Sequence, residues 1–369
     1  MRSDGEPALT PYRGEDLGAR PHVAVVFCDH IGGFVAASPL MRGLRERYPD
    51  VVLDYVGGER TVELETASPL IDARFSLFGM DDPLSEMTRF FEERRQQAGP
   101  YALVVNLEAE EIAAQASGLT GATYVVGNAI DPGSGAHVPH AAEPIDGLWH
   151  DTWNRADLLE DYPELTSQYI GELFCRLARV ESDYVRTEAP QAPPPISIPP
   201  VLLSTGGNRS ARLWPTAHWV KLVRHLGGRG VEAGLLGAAP AVQEARYHTA
   251  DADEAIVRAG AKDLRGQLTL PEVAGALARV RAFVTVDNGL MHIAAAVGAP
   301  TIALLGASPG RIWAPRTPCV RIVEPAEPCT LCEENRFRNP DCLLPRHQCM
   351  ESIAPTRVLA ALAEILPDA

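Results

Sequence analysis

Residues 284–300 read V-T-V-D-N-G-L-M-H-I-A-A-A-V-G-A-P. A β-branched run enters Asp287, Asn288 and Gly289, and Leu290, Met291 and His292 then open a helix. Gly289 permits the close turn. The unbonded N–H groups of a first helical turn, with the helix dipole behind them, can face an anion such as a diphosphate. His292 stands in that turn, where an imidazole could reach the same phosphate. The residues equally suit an ordinary capped helix, with Asp287 or Asn288 as the cap and His292 at the surface. Pattern alone leaves both readings open.

A second group of chemically capable residues lies near the C-terminus. Cys329 and Cys332 form a C-x-x-C pair, and Cys342 and Cys349 follow, with His347 nearby. Four such thiols could hold a structural zinc tetrahedrally. The six residues between Cys342 and Cys349 depart from the usual second C-x-x-C knuckle. Reduced thiols or a disulfide therefore stand beside zinc, and no metal is assigned. Cys28, Cys175 and Cys319 read as core or surface thiols, without the setting of a nucleophile.

Both halves of the chain alternate short apolar runs with helical patterns. Strands are expected at residues 23–27, 51–56, 102–107 and 123–126, and again at 201–204, 232–236, 282–286 and 301–305. Residues 36–48 repeat apolar positions at helical spacing, and further helices are expected from His218, Ala241, Pro271 and Leu290. Such alternation indicates α/β domains with parallel sheets covered on both faces. Residues 190–200, P-Q-A-P-P-P-I-S-I-P-P, can sustain neither a helix nor a central strand. They read as an extended linker between domains 21–189 and 201–369, or else as a surface loop within one domain. Ligands of doubly wound sheets bind beyond the carboxyl ends of the strands, which points to a cleft between two such domains.

Composition sets the limits. The chain has 369 residues, long enough for two domains, and its 46% hydrophobic content supplies two cores. With 33 Lys and Arg against 48 Asp and Glu, the formal charge is −15, which disfavours nucleic acid as a partner. An anionic ligand requires a local site working against that field. No apolar run reaches the ~20 residues of a membrane span. Residues 1–20 are polar, lack the apolar core of a secretion signal and read as a flexible tail. An uneven set of seven cysteines in such a chain suggests reduced thiols and a cytoplasmic location.

The stretch D-N-G-L-M-H-I-A-A-A-V-G-A-P-T-I-A-L-L-G resembles the most diagnostic segment of glycosyltransferase family nine, the ADP-heptose heptosyltransferases of lipopolysaccharide. Three more segments fit in order: residues 31–50 (I-G-G-F-V-A-A-S-P-L-M-R-G-L-R-E-R-Y-P-D), 204–219 (S-T-G-G-N-R-S-A-R-L-W-P-T-A-H-W) and 264–277 (L-R-G-Q-L-T-L-P-E-V-A-G-A-L). The resemblance implies a GT-B architecture of two facing Rossmann-like domains with an interdomain cleft, acceptor on the first and nucleotide-sugar on the second. It implies an inverting, metal-independent transfer of a sugar, heptose from ADP-heptose by default, to a hydroxyl of a glycan or small-molecule acceptor. Carried over, Asp287, Asn288, Gly289, Leu290 and His292 hold the donor diphosphate, and Thr205 and Gly206 line the opposing loop. Arg212 falls where the family places a phosphate-neutralising lysine, and arginine keeps that charge. Glu244, beyond a strand and its turn, is a candidate for a ribose hydroxyl.

One departure matters. The family typically reads G-D-V in the first loop, its aspartate being the general base, whereas this chain has Gly32, Gly33 and Phe34. A glycine cannot take a proton. Asp29 is placed first as the replacement and His30 second, with Glu108 and Glu110, beyond another strand, as further candidates. Asp29 could equally cap the following helix. The missing aspartate also keeps two other functions in view: a non-catalytic sugar-nucleotide-binding protein, and a GT-B nucleotide-sugar epimerase.

Overall fold

The β-branched runs form two six-stranded parallel sheets in a computed structural model that describes residues 9–79, 82–138, 144–249 and 251–366. The chain divides into two compact units, Met1–Thr187 and Glu188–Ala369.

In the first unit the strands are β1 (Thr10–Pro11), β2 (His22–Val26), β3 (Val52–Gly58), β4 (Ala73–Phe78), β5 (Tyr101–Asn106) and β6 (Tyr124–Val126). Their order is β1-β6-β5-β2-β3-β4. The chain winds from β2 outward through β3 and β4, then returns to β5 on the other side of β2. That reversal makes the gap between the ends of β2 and β5 a topological switch point, where doubly wound folds bind ligands. Strand β2 is buried at every position, as a central parallel strand must be.

The second unit repeats the design with β7 (Val201–Ser204), β8 (Ala233–Leu235), β9 (Lys262–Asp263), β10 (Ala282–Val286), β11 (Thr301–Leu304) and β12 (Val320–Val323). The order β12-β11-β10-β7-β8-β9 puts its switch point between β7 and β10. Trp214 and Trp219 anchor its core, edge to face at 4.9 Å, and the Trp214 indole N–H donates to Ile353 O at 2.8 Å. These two tryptophans are packing residues.

Three expectations change. The segment expected as a tail contributes β1, which adds parallel to β6, with Leu9 and Tyr12 buried beside it. An edge strand tolerates Pro11, which is why so short and proline-containing a pair gave no strand signal. Residues 190–200 lie against the second unit: Ala192 N–H donates to Pro271 O at 2.8 Å and Lys262 Nζ to Ser197 O at 2.9 Å. Finally, the first helix spans Ile31–Arg47, so Gly32 and Gly33 belong to its first turn and not to a loop. Pro39 sits inside that helix, and the Ser38 hydroxyl donates to Val35 O at 2.7 Å, occupying the carbonyl that Pro39 cannot bond.

Candidate functional site

At the second switch point, Asn288 caps the helix Gly289–Ala296. Its Oδ1 accepts from the Leu290 N–H at 3.0 Å and the Met291 N–H at 3.3 Å. Its Nδ2 donates to Ser204 Oγ at 2.9 Å and Gly206 O at 2.8 Å. Of the two readings, the structure shows the cap: Leu290 and Met291 have their amides taken, and Asn288 stitches the end of β7 to the end of β10. The Gly289 N–H is not among these capped donors, and the helix dipole still points at the same place.

The cations there are the informative feature. Arg209 is half-buried, with Nε donating to Asn339 O at 2.7 Å and Nη1 to Ala307 O at 3.0 Å, while its buried Nη2 has no hydrogen-bond partner. Arg212 Nη1 lies 3.3 Å from Asp287 Oδ2, and its buried Nε is also unsatisfied. Burial and the neighbouring Arg212 charge push the Arg209 pKa below its ordinary value. Two guanidiniums held close enough to repel, with Asp287 the one carboxylate against them among the described residues and a buried donor unused on each, would gain from a further anion. The sequence reading names Arg212 and not Arg209, three residues earlier in the same loop.

His292 is buried, not at the surface, with its ring at right angles to Trp313 and 6.3 Å from it. Burial pushes its pKa down to about 4, Asp287 opposing and Arg212 assisting, so the ring is neutral at pH 7. Its Nδ1 is buried without a hydrogen-bond partner, as is Ser308 Oγ, and Asp287 Oδ2 meets the charge of Arg212 without a hydrogen bond.

Behind this group, the Thr205 hydroxyl donates to the buried Asp253, and Asp253 Oδ2 lies 3.4 Å from Arg265 Nη1. Arg265 also bonds Asp263 and Glu254, each at 2.8 Å. Thr205 is therefore a loop anchor, and Asp253, 48 residues away, had no local signal that could have found it. A Cβ on Gly206 would fall 2.6 Å from Gln243 Nε2, so a side chain there would displace Gln243. The buried Gln243 accepts from the Ala238 N–H at 3.0 Å, whereas Glu244 is exposed on the helix Pro240–Arg246 and no hydrogen bond or ion pair among the described residues joins it to the loop. The inward residue is the neighbour of the expected one.

The four C-terminal cysteines line one small cavity with Gly306 and Ala307. All are free thiols, and burial pushes Cys349 up to about 11. Among the described residues no set of three or more His, Cys, Asp or Glu is grouped as a metal site.

In the first unit, Arg60 grips both oxygens of Asp29, with Nε to Oδ2 at 2.7 Å. Burial alone would raise the Asp29 pKa, but the hydrogen bonds and charge of Arg60, with His30 nearby, hold it below the usual carboxylate range. Asp29 makes no side-chain cap to the helix; His30 occupies the N-cap position and is exposed. Gly33 is buried, and a Cβ there would lie 2.9 Å from the Phe27 ring and 3.0 Å from Cys28 Sγ. The place of the family's aspartate is filled by those two side chains.

Two Rossmann-like units with these strand orders define the GT-B class of fold. Solved structures agree: glycosyl transferase family 9 from Veillonella parvula (TM-score 0.73, 16% identity, 95% of this chain and 98% of that one) and Escherichia coli ADP-heptose LPS heptosyltransferase II (TM-score 0.65, 19% identity, 94% and 98%). At such identities the likeness shows the fold. The family model described as glycosyltransferase family 9 (heptosyltransferase) matches residues 154–341, just over half of the sequence, and the chain belongs to that family. It is also 30% identical over 158 residues to lipopolysaccharide heptosyltransferase 2 of Salmonella typhimurium, a match covering 43% of this chain and 44% of that protein. The match thus spans less than half the length of that relative. No helix among the described residues is long and apolar enough to cross a membrane.

Proposed function

We propose that the protein is an inverting glycosyltransferase that moves heptose from ADP-heptose to a hydroxyl of a lipopolysaccharide-type glycan. The second unit takes the donor and the first supplies the groups that handle the acceptor. The observation that carries this reading is the Arg209–Arg212 pair, with unused buried donors, beside the capped start of the helix Gly289–Ala296. A diphosphate there would satisfy Arg209 Nη2 and Arg212 Nε and relieve their mutual repulsion. As the glycosidic bond breaks, charge grows on the departing β-phosphate, where fixed donors act most strongly. Two guanidiniums and a helix dipole provide positive charge of the kind a metal supplies elsewhere, which supports metal-independent transfer. The neutral His292, with Nδ1 unpartnered, adds a neutral polar contact at the same place. The names of the family and of its relatives supply heptose and lipopolysaccharide.

Calorimetric titration with ADP and ADP-heptose tests the reading. Arg209→Met removes charge-assisted hydrogen bonds and is expected to weaken ADP by about 10- to 100-fold. Asn288→Asp keeps the cap but turns a carboxylate oxygen toward Gly206 O, and is expected to weaken ADP as well. Wild-type protein that binds neither ligand at millimolar concentration overturns the proposal.

A further inference from the structure

The switch point of the first unit lies between β2 and β5, where Val26 stands opposite Asn106. Asp29 follows the first strand, and Glu108 and Glu110 follow the second. These carboxylates differ in what holds them. Asp29 has both oxygens engaged by Arg60, and it is wedged against β3: a Cβ on Gly58 would fall 2.2 Å from Asp29 Cβ. Taking a proton there would break a bidentate ion pair. Glu110 is exposed at the start of the helix Glu111–Leu119.

Glu108 is built differently. Its own N–H donates to Asn106 Oδ1 at 2.9 Å, and Asn106, fully buried, is fixed in turn by donating from Nδ2 to Asn128 O at 2.7 Å. Its Oε1 accepts from the Ala109 N–H at 2.8 Å, which orients the carboxylate. No cation pairs with it among the described residues. Gly33 cannot regain a carboxylate without moving Phe27 and Cys28.

We propose that Glu108 is the general base of the transfer and that the Asp29–Arg60 pair positions the surrounding loop. The assignment rests on the transferase reading above. In the step, the acceptor hydroxyl loses its proton to the Glu108 carboxylate while its oxygen bonds to the anomeric carbon. The bond from that carbon to the β-phosphate oxygen breaks, and its electron pair leaves on ADP. The surroundings agree with the geometry. Burial raises the Glu108 pKa, hydrogen bonds from the Ala109 and Glu110 backbone oppose this, and the charges of Glu110 and Asp29 raise it further. The other titratable groups facing it are Cys28 and Tyr55, both kept neutral by burial. A base with raised proton affinity is the better matched to neutral pH.

The test follows ADP release from ADP-heptose, into water and onto heptose-free lipopolysaccharide, with full-length protein. Glu108→Gln is expected to lower kcat by about 10²–10⁴-fold, leave ADP affinity unchanged and remove the rise of kcat on the acid side of the pH profile. Formate added to Glu108→Ala is expected to restore part of the rate, which a structural role would not allow. Asp29→Asn is expected to keep the acid-side rise, moved to lower pH by loss of a neighbouring negative charge. Glu108→Gln turning over within about threefold of wild type, or Asp29→Asn alone losing the acid-side rise, overturns the assignment. Wild-type protein that binds no ADP-heptose overturns the transferase reading, and this one with it.

Discussion

His292 ties the stability of the second unit to pH in a way that can be worked out from its surroundings. The ring is 3% exposed, and burial pushes its pKa from 6.5 to about 4. Asp287 pulls the value up and Arg212 pushes it down, so the outcome belongs to the whole site. The unfolded chain binds a proton near pH 6.5, while the folded chain resists until about pH 4. Protonation therefore favours unfolding between those values. The stabilisation is full above pH 6.5 and is lost as pH falls toward 4. At 1.36 kcal/mol per pH unit the loss is about 3 kcal/mol. His292→Phe keeps a ring against Trp313 and removes the titration. Because Nδ1 has no partner, the change sacrifices no hydrogen bond at that atom. Urea unfolding, followed by hydrogen exchange of β10 and β11 at several pH values, isolates the second unit. Other carboxylates titrate in the same range, so the quantity to read is the difference between wild type and variant. That difference should shift in favour of His292→Phe by about 3 kcal/mol from pH 7 to pH 4. A difference that stays flat refutes the reasoning.

Two further predictions concern the first unit. Asp54 is fully buried and accepts from Arg94 at 2.8 and 2.9 Å and from Tyr101 at 2.7 Å, with His22 Nε2 at 2.9 Å; Asp54→Asn should lower stability by about 3 kcal/mol or more in urea titrations, since it strands the Arg94 charge. Gly33→Asp, which writes back the family's aspartate, should cost about 1–3 kcal/mol through its clash with Phe27 and Cys28 and should not raise ADP release in the Glu108→Gln background; a gain of activity there would show that the pocket had merely been vacant.

Where the sequence was legible, one kind of residue made it so. Strands such as β2, β7 and β10 are continuous β-branched or apolar runs buried on both faces, and their pattern announces them. The strands that escaped reading carry polar residues at exposed or edge positions: A-R-F-S-L-F in β4, K-D in β9, V-R-I-V in β12. At the second switch point, Asp287 to His292 could be located from a strand running into a glycine turn. The sequence could offer Asn288 as a cap for the local amides of Leu290 and Met291, but not that its Nδ2 would also bond Ser204 and Gly206, more than 80 positions away. The same distance problem hid Arg60 from Asp29 and Asp253 from Thr205. Local pattern finds the loop at a strand end; only the fold tells which side chains in it are already occupied.

The two units share one topology and carry opposite chemistry at the same place in it. Beyond β2 and β5 stand Asp29, Glu108 and Glu110 against Arg60; beyond β7 and β10 stand Arg209 and Arg212 against Asp287, so the first set is net negative and the second net positive. Like charges 4 Å apart cost about 4 kcal/mol at an effective dielectric of 20, so a diphosphate is repelled from the first set and drawn to the second. The reverse holds for a proton leaving a hydroxyl, which a carboxylate accepts and a guanidinium rejects. The net signs of the two sets support the division of labour proposed here, donor on the second unit and proton removal on the first. Under that proposal the chain can do without a carboxylate at Gly33. On the proposed reading the base stands at the β2–β5 switch point, and the end of either strand could present it.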